Sequence, residues 1–210
     1  MRSDSARAQA AEATRQLIID SARRLFVTHG YHAVSIEQIV VEARVTRGAL
    51  YHHFKDKRAL FRVVFKAVET ELSARPVPEA SPADQPDPWA RYRLRVQTFL
   101  DAILKAEFHQ VLLVDGPQVL GWEEWRKLET VYGLGAISPV LENAMAAGSI
   151  ARQPVTPLAR IVLAALIETA LLIANAPDRD LARREAGFAL DSFLAGLSTA
   201  PATRPVLTGA

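Results

Sequence analysis

Apolar residues recur at helical spacing through the first 70 residues, and this pattern predicts four helices. The first is expected over Arg15–His29. Ser35 and Thr46 each precede a short amphipathic stretch, and both are residue types that cap helix N-termini. A fourth helix is expected to begin after Asp56. Because only a short turn separates the second helix from the third, residues 35–54 are predicted to form a helix-turn-helix.

Five prolines follow within fourteen residues, between Arg75 and Pro88, and predict an exposed loop because proline interrupts a helix. Beyond the loop, apolar positions again recur at helical spacing. The predicted helices cover residues 89–108, 108–114, 123–147, 157–175 and 179–197. The second of these is expected to close at Asp115–Gly116–Pro117. No segment alternates with period two, so the chain is predicted to be all-α.

The stretch Ile161–Ala174 is apolar nearly all round, with Glu168 as its one interruption. It is too short to span a bilayer, which requires about 20 apolar residues. A helix of this kind in a soluble protein must be covered on every side. Together with the apolar helix at 179–197, it is predicted to form a homodimer interface in which each subunit gives two helices. The central helix of a monomeric bundle is the alternative.

These elements divide the chain into an N-terminal three-helix helix-turn-helix domain, with a fourth helix leading out of it, and a larger C-terminal helical bundle. The predicted boundaries are a flexible arm at 1–11, a first domain at 12–72, a second domain at 73–198 and a disordered tail at 199–210. The arm carries Arg2 and Arg7, which either reach a minor groove or form part of a solvated tail.

The distribution of charge agrees with a nucleic-acid-binding first domain. Residues 1–66 hold 12 Lys and Arg against 6 Asp and Glu, whereas the remainder holds 13 against 17. Chance asymmetry is the alternative. The absence of cysteine excludes disulfides and thiolate metal sites. Met1–Thr14 has no apolar segment typical of a secretory signal, so a cytoplasmic protein is expected.

The run Thr46-Arg47-Gly48-Ala49-Leu50-Tyr51-His52-His53-Phe54, followed by Lys57, resembles the DNA-binding domain of the TetR family of transcriptional regulators. The resemblance extends over Arg15–Leu72, under a third of the chain. Its other carrying residues are Ala22, Leu25, Phe26, Gly30, Tyr31, Ser35, Ile36, Ile39, Ala43, Val45 and Leu60. The remainder resembles the family in its architecture, an all-α domain for ligand binding and dimerisation.

A recognition helix starting after Thr46 would enter the major groove of double-stranded DNA. The small residues Gly48 and Ala49 would let the backbone approach closely, and the Arg47 guanidinium suits guanine. In the family, positions matching Tyr51 and Lys57 contact phosphate, which the resemblance implies here. The full predicted DNA-binding set is Ser35, Arg44, Thr46, Arg47, Gly48, Ala49, Tyr51, His52, Lys55 and Lys57. Leu50 and Phe54 are expected in the core.

No catalytic motif is present, and His29 and His32 do not share a helix face, so we expect no catalytic residues, no metal and no cofactor. The acidic residues are interpreted as a solvated surface.

The sequence therefore predicts a homodimeric repressor. Two recognition helices roughly 34 Å apart would read a palindromic operator, and a small molecule would release it. Candidate pocket residues are Phe99, Ile103, Phe108, Trp122, Trp125, Tyr132 and Glu168, and plain core is the favoured alternative for each. Aromatic rings with one carboxylate fit either an apolar or a cationic effector. The alternatives are an all-α ligand-binding or adaptor protein that does not act on DNA, and an enzyme on a helical scaffold.

Overall fold

The computed structural model describes residues 2–74 and 87–199, and over these ranges it confirms the all-α prediction. The predicted loop, from residue 75 to residue 86, and residues 200–210 of the predicted tail lie outside the described residues. The helices are α1 (Arg2–His29), α2 (Ile36–Ala43), α3 (Arg47–His53), α4 (Lys57–Ser73), α5 (Pro88–Ala102), α6 (Ala106–Phe108), a π-helix (His109–Asp115), α7 (Gly116–Leu120), α8 (Trp122–Ala146), α9 (Val155–Asn175) and α10 (Arg179–Ala195).

The chain forms two compact units that do not follow the predicted boundary at residue 72. Residues 102–132 cluster with residues 1–75, whereas 76–101 and 133–210 form the second unit. The reason lies in the packing of α4. The Phe65 ring lies where a side chain on Gly116 would have to be, and Trp125 fills the other side of that position. The first unit thus includes helices well beyond the predicted helix-turn-helix domain.

Helix α1 begins at Arg2, so residues 2–11 of the predicted flexible arm are helical. Alanine has the highest intrinsic helix propensity, and this stretch is rich in it. The helix therefore extends backward from its anchored part, where Ile18, Ala22 and Phe26 are fully buried.

Side-chain caps position the helix-turn-helix as predicted. The Ser35 hydroxyl accepts from the Gln38 amide at 3.1 Å, and the Gln38 side chain accepts from the Ser35 amide at 2.7 Å. The Thr46 hydroxyl accepts from the Ala49 amide at 3.1 Å. Between the two helices, Arg44 adopts a left-handed conformation with φ 54°, which is uncommon for a residue with a side chain. Leu50 and Phe54 are buried, which confirms them as core.

Asp115–Gly116–Pro117 does not close a helix, contrary to the sequence prediction. The π-helix passes directly into α7, with Gly116 in a helical conformation and Pro117 in the first turn. Proline is compatible with a first turn because its missing N–H would have no partner there. A π-helix is rare and often occurs at functional sites.

The second unit is held together by a buried aromatic residue and a part-buried ion pair. The Trp89 indole is fully buried and donates to the Leu194 carbonyl at 2.8 Å. Arg93 donates to both carboxylate oxygens of Asp191, at 2.9 and 2.6 Å. Ile150 and Ser198 form an isolated antiparallel bridge, and the Thr199 amide donates to the Ser149 carbonyl at 2.9 Å, so the first residue of the predicted tail is held.

Helix α9 is long and apolar enough to cross a membrane by length and composition, a test that core helices of soluble proteins also pass. It begins at Val155, two residues before the predicted start at residue 157. Its exposed face carries Ile161, Glu168 and Leu172, spaced seven and four residues apart. Two large apolar side chains therefore face outward from one side of this helix.

Candidate nucleic-acid interface and effector region

Helix α3 and the residues just before and after it present most of the predicted DNA-binding residues on an accessible surface. Arg44, Lys55 and His52 are exposed, as are Arg47 and Tyr51. The capping residues Ser35 and Thr46 are exposed at the starts of α2 and α3, and Ala49 is half-buried. Because Leu50 is buried, α3 is anchored on one side and accessible on the other.

Arg47 is fixed by two neighbours on this surface. Its Nη1 donates to Glu37 Oε1 at 2.6 Å, and the guanidinium carbon lies 5.5 Å from the centre of the Tyr51 ring. The ion pair joins α2 to α3. A charged and aromatic group thus stands out from the recognition helix in a defined position.

Gly48 has no internal reason to be glycine. A Cβ built there would meet Thr46 Oγ1 at 3.9 Å and no closer atom, and its φ is not positive. Where neither packing nor backbone conformation requires glycine, close approach of a ligand to the backbone remains as a reason for it.

Lys57 is engaged inside the first unit rather than free. Its ammonium donates to the carbonyls of Tyr31 and Val34, at 2.8 and 2.7 Å, and lies 4.0 Å from the Tyr31 ring centre. Burial lowers the pKa of Lys57, against the opposing charge of Asp115. Two of its three protons hold the α1–α2 connection, and one remains for another acceptor.

The predicted pocket residues are divided between the two units. Phe108 and Trp125 are fully buried in the first unit, where the Trp125 indole donates to the Leu112 carbonyl at 2.9 Å. Ile103 and Tyr132 belong to the same unit, and the Trp122 side chain there is 56% exposed. Phe99 and Glu168 belong to the second unit. Glu168, the predicted pocket carboxylate, is exposed because it lies on the outer face of α9.

An open groove of about 540 Å³ lies between α5 and α10 in the second unit. None of the predicted pocket residues lines it. Its lining includes the apolar side chains of Leu94 and Phe188, which are both exposed, and the charged Arg93, Arg183 and Asp191.

Sequence reasoning missed the polar contacts that tie the helix-turn-helix to residues 102–132. The buried Asp115 carboxylate accepts from the Tyr31 amide at 2.9 Å. Arg58 donates to the Leu120 carbonyl at 2.9 Å and to Glu124 at 2.8 Å. Asp115 and Glu124 were assigned to a solvated surface, which is wrong for Asp115. Partners more than 60 residues apart leave no periodic signal in a sequence.

A second buried carboxylate, Glu69 on α4, was also assigned to the surface and is only 7% exposed. Burial raises its pKa from 4.5 to about 7, opposed by a hydrogen bond from Ser73. Burial, and then the charge of Glu69, raise the pKa of Glu129 on α8. The two carboxyl groups therefore share a region of the first unit that disfavours ionisation of both.

The Glu69→Gln substitution is expected to stabilise the protein at pH 8 by about 2 kcal/mol and to have little effect at pH 5. Because the folded pKa of Glu69 lies above the unfolded value, its stabilising contribution is complete below about pH 4.5 and is lost as the pH rises through about 7. Urea denaturation of both proteins from pH 5 to pH 8 measures the difference.

Glu123→Gln is the matched control, since Glu123 is an exposed carboxylate in the first turn of α8. It should give the same offset in the free energy of unfolding at both pH values. A pH-independent effect of Glu69→Gln would contradict the raised pKa.

Two family models together match most of the described chain. Residues 18–64 match the model for bacterial regulatory proteins of the tetR family. Residues 89–197 match the model for the C-terminal domain of tetracyclin repressor-like proteins. The first range contains α2 and α3 with their caps, and the second covers more than half of the chain.

Individual relatives agree with these matches. The Transposon Tn10 TetC protein of Escherichia coli is 30% identical over 132 residues, which are 63% of this chain and 66% of that protein. The HTH-type transcriptional regulator AcrR of Shigella flexneri is 45% identical over 64 residues, 30% of each chain. The chain thus spans two thirds or less of the length of these relatives.

Solved structures extend the similarity to nearly the whole length. A TetR-family transcriptional regulator from Pectobacterium atrosepticum superposes with a TM-score of 0.80 and 28% identity, covering 92% of this chain and 98% of that one. Reduced NemR of E. coli shares the fold at 15% identity, with a TM-score of 0.68 and coverage of 90% and 99%. With both family models matched in order along the sequence, this chain belongs to the TetR family of bacterial transcriptional regulators.

Proposed function

We propose that this protein is a homodimeric repressor that binds a palindromic operator and leaves it when a small-molecule effector binds. Regulators of this family bind operator DNA and small-molecule effectors, are generally dimers, and are soluble proteins of the cytoplasm. The single observation that carries the proposal for this chain is the exposed surface of α3. There a fixed arginine stands beside a glycine that no internal contact requires.

The α3 surface suits the major groove in shape and charge. Arg47 offers a planar fork of donors for a guanine edge, and Gly48 leaves room for the DNA backbone. The exposed Arg44, Lys55 and Tyr51 flank it at positions suited to phosphate oxygens. Lys57 contributes differently from the other cations. It fixes the α1–α2 connection and keeps one proton for a phosphate.

For an effector to release the DNA, its binding must change the position of α3. Contacts within the first unit can transmit such a change. The Asp115 carboxylate at the end of the π-helix holds the Tyr31 amide, and Tyr31 in turn accepts from Lys57. Arg58 on α4 is bound to Leu120 and Glu124. An effector that favours another arrangement of residues 102–132 would shift α4 and α1, and with them the recognition helix.

Dimerisation through α9 and α10 is supported by large apolar side chains exposed on both helices. These are Ile161, Leu172, Leu181, Phe188 and Phe193. Exposed apolar groups of this size and number on two neighbouring helices are typical of a protein–protein interface. A second copy of the same surface would cover them with closed twofold symmetry.

Selection of binding sites from random duplexes tests the proposal. The wild-type protein is expected to enrich an inverted repeat whose half-sites lie about one helical turn, or a multiple of it, apart. Affinity for the enriched duplex should fall steeply with salt concentration, because phosphate contacts release counterions. A folded protein that enriches no sequence, or a single unrepeated half-site, would contradict the proposed dimeric repressor.

A further inference from the structure

The Glu37–Arg47 ion pair places a negative charge on the surface proposed to face DNA. The two side chains are 61% and 63% exposed and join α2 to α3 through a 2.6 Å contact. A carboxylate at this position repels the phosphate backbone and so reduces affinity for DNA of any sequence. An exposed ion pair also contributes little to folding stability. Neither non-specific affinity nor stability therefore accounts for Glu37.

The pair has a clear effect on the Arg47 side chain. Without a partner, an exposed arginine on a short helix samples many rotamers, so its guanidinium can contact phosphates at several positions along the DNA. Here Glu37 holds Nη1, and the Tyr51 ring lies under the guanidinium. Nη1 is engaged by Glu37 and Nη2 lies 3.5 Å from the Tyr51 hydroxyl, which leaves the other N–H groups of the guanidinium to project toward a ligand.

The second carboxylate oxygen of Glu37 is not engaged by Arg47. The ion pair with Arg47 uses Oε1, and no donor from the residues that the structure describes reaches Oε2. In the major groove a carboxylate accepts from the N4 amino group of cytosine, whereas it is repelled by the acceptor atoms O6 and N7 of guanine and O4 of thymine. Adenine also offers an amino donor, N6, but its N7 acceptor lies beside that donor. Beside an arginine that suits guanine, this oxygen therefore favours cytosine, the base whose major-groove edge offers a donor without an acceptor.

We propose that Glu37 determines sequence specificity, by holding Arg47 in register and by accepting from a cytosine amino group beside the guanine that Arg47 contacts. This inference rests on the proposed function and specifies how the same surface reads DNA. Glu37 discriminates by repulsion, because a buried contact between like charges or between two acceptors makes binding to the wrong sequence less favourable. Glu37 thereby lowers affinity for every duplex and lowers it most for the wrong ones.

Binding-site selection with the wild type and Glu37→Gln tests the inference. The wild type is expected to enrich a cytosine in each half-site, adjacent to a required guanine. In Glu37→Gln that one position should lose about tenfold in discrimination, because an amide can both donate and accept. Affinity for a scrambled duplex should rise about threefold, because one negative charge is gone. Circular dichroism checks that helicity is unchanged.

Glu42→Gln is the matched control. Glu42 lies on the same helix and pairs with an arginine of α1, Arg24, at 3.1 Å, so the charge change is the same. Its selected sequence should equal that of the wild type. If Glu37→Gln keeps wild-type discrimination at every position, or if Glu42→Gln relaxes the same position equally, Glu37 has no reading role and the inference is wrong. If the wild type enriches no sequence, the proposed function itself fails, and this inference fails with it.

Discussion

Replacing Arg47 with alanine is expected to weaken binding to the selected operator by about two orders of magnitude. A bidentate contact from arginine to guanine contributes about 1–3 kcal/mol of discrimination, and a symmetric dimer makes that contact twice. The substitution also leaves Glu37 without its partner, so an uncompensated carboxylate then faces the DNA. Fluorescence anisotropy with the operator and with a scrambled duplex of the same length measures both affinities.

The ratio of the affinity for the operator to the affinity for the scrambled duplex shows whether Arg47 contacts a base or only a phosphate. If Arg47 reads a base, Arg47→Ala should lower affinity for the operator far more than affinity for the scrambled duplex. Arg47→Lys keeps the charge but not the planar fork, and should recover little of the discrimination.

Lys55→Ala provides the matched control, because Lys55 is an exposed cation just beyond the end of α3. Its removal should weaken binding to both duplexes by a similar few-fold factor and reduce the salt slope by about two, one for each subunit. Equal losses on operator and scrambled DNA for Arg47→Ala would show that Arg47 contacts phosphate, contrary to its proposed role.

The sequence predicts well those parts of the structure that depend on contacts between residues close together in the chain. Ser35, Thr46 and Asp56 each make the capping hydrogen bond expected of them. A cap and the apolar stripe after it lie within one or two turns, so a short segment contains the information. The helix-turn-helix is built from such segments, which is why its bounds are close to those predicted.

Errors arise where distant contacts or weak local preferences decide the structure. Asp115 followed by glycine and proline is typical of a turn, yet its carboxylate is held by an amide 84 residues away. Residues 102–132 join the first unit because Trp125 and Phe65 pack around Gly116, an arrangement that no periodicity reveals. Glu168 is predicted to be the carboxylate of an effector pocket, but helical geometry turns it outward.

The same distinction between local and distant causes applies to the candidate site. The motif predicts the residues of α3 that are exposed, and the structure adds the contacts that hold their side chains. The Glu37–Arg47 pair and the internal role of Lys57 depend on the separation of α2, α3 and the α1–α2 connection in space. The effector pocket was predicted from residue type alone, and aromatic residues are common in ordinary cores. Its members are divided between the two units, and the pocket stays a prediction.

Phe188→Asp is expected to convert the dimer to a monomer and to abolish high-affinity operator binding. The Phe188 side chain is 76% exposed on α10, so the substitution should change the free energy of unfolding of one subunit by less than about 0.5 kcal/mol. In the proposed dimer the same position is covered by the partner, and an unpaired carboxylate buried there costs several kcal/mol. Sedimentation should give the mass of one 23.0 kDa chain rather than two.

A comparison with Val131→Asp isolates the interface from a general effect of added charge. Val131 is 62% exposed, but it lies on the part of α8 that belongs to the first unit, outside the proposed dimer surface. This variant should remain dimeric and should bind the operator nearly as well as the wild type. Phe188→Leu, which keeps an apolar side chain, should also remain dimeric. If Phe188→Asp still sediments as two chains, the outer face of α10 lies outside the interface, and dimerisation must use a different surface.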